Sequence, residues 1–138
     1  MIRSDTIRKG ESAVYRSVLR AIELGWTVSR PCVEGSRYDL VVDRGRGRME
    51  RVQVKYCERR HGGAYELTLT RHSGGRTRRI YSYDESEVDA VAAYLAQDDL
   101  LVWLPVCEWN GRTAINLRID APRNGQRRSI RMAADFRW

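Results

Sequence analysis

Residues 38–43 (YDLVVD) and 51–56 (RVQVKY) constrain the fold more than any other stretch of the chain. Both alternate with period two, and an arginine-glycine segment, RGRGR at 44–48, separates them. Alternation on either side of a turn signal predicts a β-hairpin with one apolar face. Asp39, Val41 and Asp43 then share one face of the first strand, and Arg51, Gln53 and Lys55 share one face of the second. With the turn centred near Arg46, Asp39 stands opposite Gln53 and Lys55 lies one step along the diagonal. Such neighbours are roughly 5 to 8 Å apart, so the two charges can belong to one site.

Lys55 is unusual in its composition as well as its place. The chain holds 23 arginines and two lysines, Lys9 and Lys55. Arginine is its default cation, so a lysine inside a strand calls for a reason. A compact ammonium whose pKa shifts on burial is one.

Residues 5–24 predict a helix, with Ser4 or Asp5 as its cap and Gly25 as its end. Ile7, Val14, Val18, Ala21 and Ile22 form its apolar stripe, and Glu11 falls on that stripe. Such a carboxylate either snorkels to water or points inward at a metal or a proton. A short strand over 26–30 should stop at Pro31. Strands are expected at 65–70 and 78–83, a hairpin over 89–106 around AQDD, and a strand at 113–119. A turn at Asn124-Gly125-Gln126 and a short helix over 129–136 close the chain. Helix first, then a run of strands, is an α/β or mixed α+β pattern. At 138 residues with no linker or repeat, one domain over 1–138 is expected.

Other classes are disfavoured. No apolar run approaches the ~20 residues of a membrane span, and residues 1–12 lack the apolar stretch of a signal peptide. Cys32, Cys57 and Cys107 are widely spaced, which speaks against a zinc site or a disulfide framework and for reduced thiols in the cytoplasm. The net charge of +7 and pI near 9.8 favour a polyanionic partner. The arginines cluster in segments that also carry glycine or asparagine, where the backbone can approach phosphate. Candidate contacts to the phosphates or bases of such a partner are Arg44, Arg46, Arg48, Arg59, Arg60, His61, Arg71, Arg76, Arg78, Arg79, Gln126 and Arg127. Asp89 reads as a cap or structural contact, and Tyr94 and Trp103 as core.

Glu11, Asp39 and Lys55 together supply what phosphodiester hydrolysis requires. Carboxylate oxygens suit Mg²⁺, a bound cation activates water and polarises phosphate, and a lysine orients the water or offsets developing charge. Glu11 on the helix, YD at 38–39 and QVK at 53–55 resemble, in order, the motif of the PD-(D/E)XK nuclease superfamily. With KGES, VDAVAAY, VWLPV and NGQRRSIRMAADF added, the chain resembles the branch of that superfamily containing group I intron homing endonucleases, which is similar to Holliday-junction resolvases. The likeness runs from about residue 9 to 136. It implies a restriction-endonuclease-like core, a central mixed sheet flanked by helices.

The resemblance further implies that Asp39 ligates Mg²⁺ or Mn²⁺ directly, that Glu11 binds the metal or its water, and that the Val54 carbonyl is a further ligand. Lys55 would serve the attacking water. Tyr38 replaces the usual proline, and Gln53 replaces the usual acid, as in the QxK variant of that branch. The implied activity is site-specific cleavage of double-stranded DNA by a homodimer or homotetramer. Junction-selective cleavage and non-catalytic DNA binding are the alternatives.

Overall fold

The computed structural model describes residues 2–72, 76 and 79–138, with residues 2 and 3 as backbone only. The first element is α1 (Ile2–Glu23), which starts earlier than its periodicity suggests. It ends as expected at Gly25, whose φ is 79°. The Gly25 N–H donates to the Ile22 carbonyl and the Trp26 N–H to the Ala21 carbonyl, both at 2.9 Å. This double closure requires a left-handed residue, and glycine adopts that conformation without a Cβ clash.

The buried face of α1 differs from the expected stripe. Ala13, Val14, Ser17 and Ala21 are buried, whereas Ile7 and Ile22 are exposed. Small residues face the sheet where the helix packs on it. Ser17 fits there because its hydroxyl donates to the Ala13 carbonyl (2.9 Å).

Ten strands follow. They are β1 (Thr27–Ser29), β2 (Leu40–Asp43), β3 (Met49–Cys57), β4 (Arg60–His61), β5 (Ala64–Thr68), β6 (Thr70–His72), β7 (Ile80–Ser82), β8 (Ala90–Leu95), β9 (Leu100–Pro105) and β10 (Ala114–Arg118). The central sheet has the order β1-β2-β3-β8-β9. It is mixed, because β3 and β8 run parallel and the other neighbours antiparallel. A small antiparallel sheet, β10-β5-β4, forms a second layer, and β6 pairs with β7.

Two cores result. On one face Leu40, Val42, Val52 and Val54 meet Ala13, Val14 and Ala21 of α1. Trp26, Trp103 and Trp138 extend this core with centroids 4.9 to 5.9 Å apart. On the other face Val91, Ala93, Val102 and Leu104 pack with Tyr65, Leu67, Ile115 and Leu117 of the small sheet and with the fully buried Trp109. Among the described residues α1 is the single α-helix, so the layer opposite it is the small sheet.

Two expectations are corrected in detail. The strand expected over 65–70 breaks at buried Leu69, whose N–H bonds to the Thr113 carbonyl (2.8 Å). The helix expected over 129–136 is one 3₁₀ turn, Ala133–Phe136. Ser129 is left-handed (φ 58°), and Met132 bridges to Arg118, so the backbone there is committed elsewhere.

Candidate active site

The β2–β3 hairpin has the expected register. Leu40 pairs with Val52, and one residue further Asp39 stands opposite Gln53. The Asp39 N–H donates to the Val52 carbonyl and the Val54 N–H to Asp39 Oδ2, both at 2.8 Å. The carboxylate is thereby clamped to β3 through one oxygen. Strand alternation turns Leu40, Val52 and Val54 toward α1, so Asp39, Gln53 and Lys55 point to the opposite face. The Gln53 amide makes a long bond to the Val54 carbonyl (3.4 Å).

Lys55 is half-buried, with its ammonium 5.0 Å from the centroid of the Tyr83 ring. Burial pulls its pKa below the ordinary lysine value, and the Asp39 charge partly opposes this. Burial likewise pushes the Asp39 carboxyl up, against the Val54 N–H, Lys55 and Arg30. Tyr83 is 5% exposed, and its phenol is also pushed up, first by burial and then by Asp39. Asp39, Lys55 and Tyr83 thus form one electrostatic group. Nothing in the sequence pattern marks Tyr83, which reads there as the end of an ordinary strand; the excursion after β3 brings it back beside Lys55. Cys57 on the same strand is pushed up to about 11 by burial and stays a neutral thiol.

Glu11 reaches the site from α1. Arg30, just past β1, holds both its oxygens, at 3.1 and 3.3 Å. Glu11, Arg30 and Asp39 line one pocket of about 300 Å³ together with the 31–36 loop. Lys55 lines a second pocket, of about 530 Å³, with Arg59, His61 and Glu66.

The donors suit a hard divalent cation. Asp39 and Glu11 offer carboxylates, and Gln53 and Val54 offer neutral oxygens. Mg²⁺ is commonly held by one or two carboxylates and completed by water. Among the described residues no three His, Cys, Asp or Glu side chains converge, so a closed structural metal site is not built here.

The proposed DNA contacts divide. Arg59 and His61 are exposed beside Lys55, and Gln126 and Arg127 are exposed on their loop. Arg44 is corrected: it lies 4.2 Å from the Trp26 centroid, packs on Trp103 and pairs with Glu50 at 2.7 Å, so it staples the hairpin to the tryptophans. Arg46 and Arg48 are exposed, but at the hairpin end away from Asp39. Arg60 faces Asp98 and Asp120 at 3.6 and 3.8 Å, and Arg71 lies over the Tyr81 ring. Arg76 and Arg79 are exposed, and Arg78 lies outside the described residues. Asp89 is structural: it accepts from the Arg51 N–H (2.7 Å) and from its guanidinium (2.9 and 3.0 Å).

The family model for PD-(D/E)XK endonucleases matches residues 4–138. The structure is similar to that of a bacterial homing endonuclease, I-Ssp6803I, with a TM-score of 0.74 and 26% sequence identity over 96% of this chain and 88% of that one. No curated protein matches. The chain belongs to the PD-(D/E)XK endonuclease family.

Proposed function

We propose that this PD-(D/E)XK endonuclease hydrolyses phosphodiester bonds at specific sites in double-stranded DNA, using Mg²⁺ or Mn²⁺. The observation that carries the reading is the placement of Asp39 and Lys55. They share the polar face of one hairpin, and each perturbs the other's ionisation. A carboxylate raised and a lysine lowered by burial, side by side on one hairpin and each bordering a pocket, are the arrangement expected of a reactive site.

Each residue then has a task. Asp39, with one oxygen clamped by the Val54 N–H, presents the other at fixed geometry, and Glu11 offers a second carboxylate from α1. The Gln53 amide and the Val54 carbonyl add neutral donors without adding charge. A bound cation supplies a more acidic water and a polarised phosphoryl oxygen. Lys55 orients the attacking water and offsets charge developing on the phosphate. The Tyr83 ring holds the Lys55 ammonium in place through its negative face. Arg59 and His61, exposed beside Lys55, contact the backbone of the bound strand.

The reading extends to the whole chain as one catalytic domain, working in the cytoplasm. No described helix is long and apolar enough to cross a membrane. Strands of a duplex run antiparallel, so two copies of one site related by a two-fold axis address both. A homodimer, or a homotetramer built from two, follows from that symmetry.

The test is cleavage of a randomised duplex library by purified protein in Mg²⁺, in Mn²⁺ and in EDTA, with light scattering on the same samples. Cutting at a defined site with either metal, lost in EDTA and restored by re-addition, is expected, from a dimer or tetramer. Metal-independent cutting overturns the cofactor assignment. A monomer that only nicks overturns the paired-site arrangement.

A further inference from the structure

We infer that the outer face of the β5–β10 ribbon reads base edges in the DNA major groove beside the cleaved bond. This rests on the DNA endonuclease reading above and names the residues that select its site.

The observation is a continuous trough. The pocket holding Lys55 shares His61 and Glu66 with a second pocket, of about 410 Å³, lined by Asn116 and Arg118. That pocket shares Gly62 and Arg118 with a third, of about 680 Å³, lined by Asn124 and Gln126. The catalytic lysine therefore opens onto a groove whose wall is the solvent side of β5 and β10.

Alternation sets the chemistry of that wall. Tyr65, Leu67, Ile115 and Leu117 turn into the core, which leaves Glu66, Thr68 and Asn116 outward. Glu66 and Asn116 are directly opposite each other across the two strands. Among the described residues neither side chain has a hydrogen-bond or ion-pair partner. That is notable for Glu66, which has cations along the same trough and a chain of +7 around it.

A surface meant only for phosphate would carry arginine here, as this chain does elsewhere. A carboxylate repels phosphate but accepts from the cytosine amino group, and an asparagine side chain pairs bidentately with adenine. The pair offers base-reading chemistry at the centre, while Arg59, Arg118 and Arg123 line the trough around it where the backbone would pass. The dimensions agree. A two-stranded ribbon enters a major groove about 12 Å wide. Five residues at about 3.3 Å each span about 16 Å, roughly five base steps.

The experiment is cleavage of the randomised duplex library by the wild type and by Glu66→Gln, Asn116→Ala and Arg123→Ala, with base preference read at every position. Binding to random DNA is measured in parallel, and thermal melting confirms that each variant is folded. Glu66→Gln and Asn116→Ala should each lose about 10- to 100-fold of preference at one or two positions near the cut. Their affinity for random DNA should be unchanged or slightly higher, whereas Arg123→Ala should weaken all sequences alike. Unchanged preferences in both ribbon variants, or a loss spread evenly over all sequences, would overturn the inference. If the wild type cuts no member of the library, the endonuclease reading on DNA falls instead.

Discussion

Strands β3 and β8 lie side by side, parallel and in register, yet they follow opposite rules. Gln53 neighbours Val91 and Lys55 neighbours Ala93. Every residue of β8 is buried, as expected of a parallel strand covered on both faces. β3 buries Val52 and Val54 on the α1 side and sets Gln53 and Lys55 on the other, where coverage is partial. The shifts at Asp39 and Lys55 show what those charges do to stability. A carboxyl raised by burial is less comfortable ionised in the folded chain than in the unfolded one. A lysine lowered by burial is likewise less comfortable protonated. Both therefore act against folding at neutral pH, whereas β8 acts for it throughout. The lesson is that β3 carries charge despite the cost, and only where a cleft admits it.

The largest effect is expected from moving the charge one strand over. Ala93→Lys places an ammonium in the β8 core, with no room and no arranged partner. Burying an unpaired charge costs several kcal/mol, and each kcal/mol is worth about 4 °C in a domain of this size. Tm should fall by at least about 10 °C, or no folded protein should be recovered. A variant that melts like the wild type would mean that β8 is not the dry strand it is described to be.

Removing the charges from β3 should do the reverse. Asp39→Asn keeps an oxygen for the Val54 N–H but loses the anionic ligand, so cleavage should drop by about 10³-fold or more. Lys55→Met should lower it by about 10² to 10⁴-fold. Both should keep DNA binding, and both should melt at higher temperature than the wild type, as is common when a functional charge leaves a partly buried site. The pH dependence gives the sign separately. The Asp39 penalty is fully present above its raised folded pKa and is relieved as pH falls through it. The Lys55 penalty is fully present below its lowered folded pKa and is relieved as pH rises from there toward the ordinary lysine value. Stability curves of the variants should lack the matching relief. Lower Tm in both would show that the pair stabilises the fold instead.

That contrast also explains which parts were legible in the sequence. Alternation with a turn between fixed the β2–β3 register to the residue, so Asp39 and Gln53 met as expected. Gly25 ended α1 for the same local reason. The buried face of α1 was misjudged because Ile7 and Ile22 are apolar, whereas the sheet selects small residues. Arg44 reads as a phosphate contact because its neighbours are glycine and arginine, but the partners that capture it, Trp26 and Trp103, are far away in sequence. Tyr83 and Arg30 were missed for the same cause. Each reaches the site through tertiary packing, which period and turn chemistry do not encode.

The smallest expected effect concerns Arg30, and it tests how the polar face of β3 is kept ready. The Arg30–Glu11 pair is exposed by about two-fifths on each side chain, at 43% and 45%. Exposed pairs contribute only about 0 to 1 kcal/mol, so Arg30→Met should leave Tm nearly unchanged. Its electrostatic effect is different. Arg30 occupies both oxygens of Glu11 and also bears on Asp39, so a divalent cation must displace or share it. Removing the guanidinium should tighten Mn²⁺ binding by a few-fold, measured by calorimetry on the DNA-free protein. Lys at this position should restore part of the competition, because it returns the charge without the two-pronged geometry. Weaker Mn²⁺ binding in Arg30→Met would reverse the assignment: Arg30 would then be the group that holds Glu11 in its ligating position, and the carboxylate on α1 would depend on β1 to reach the metal at all.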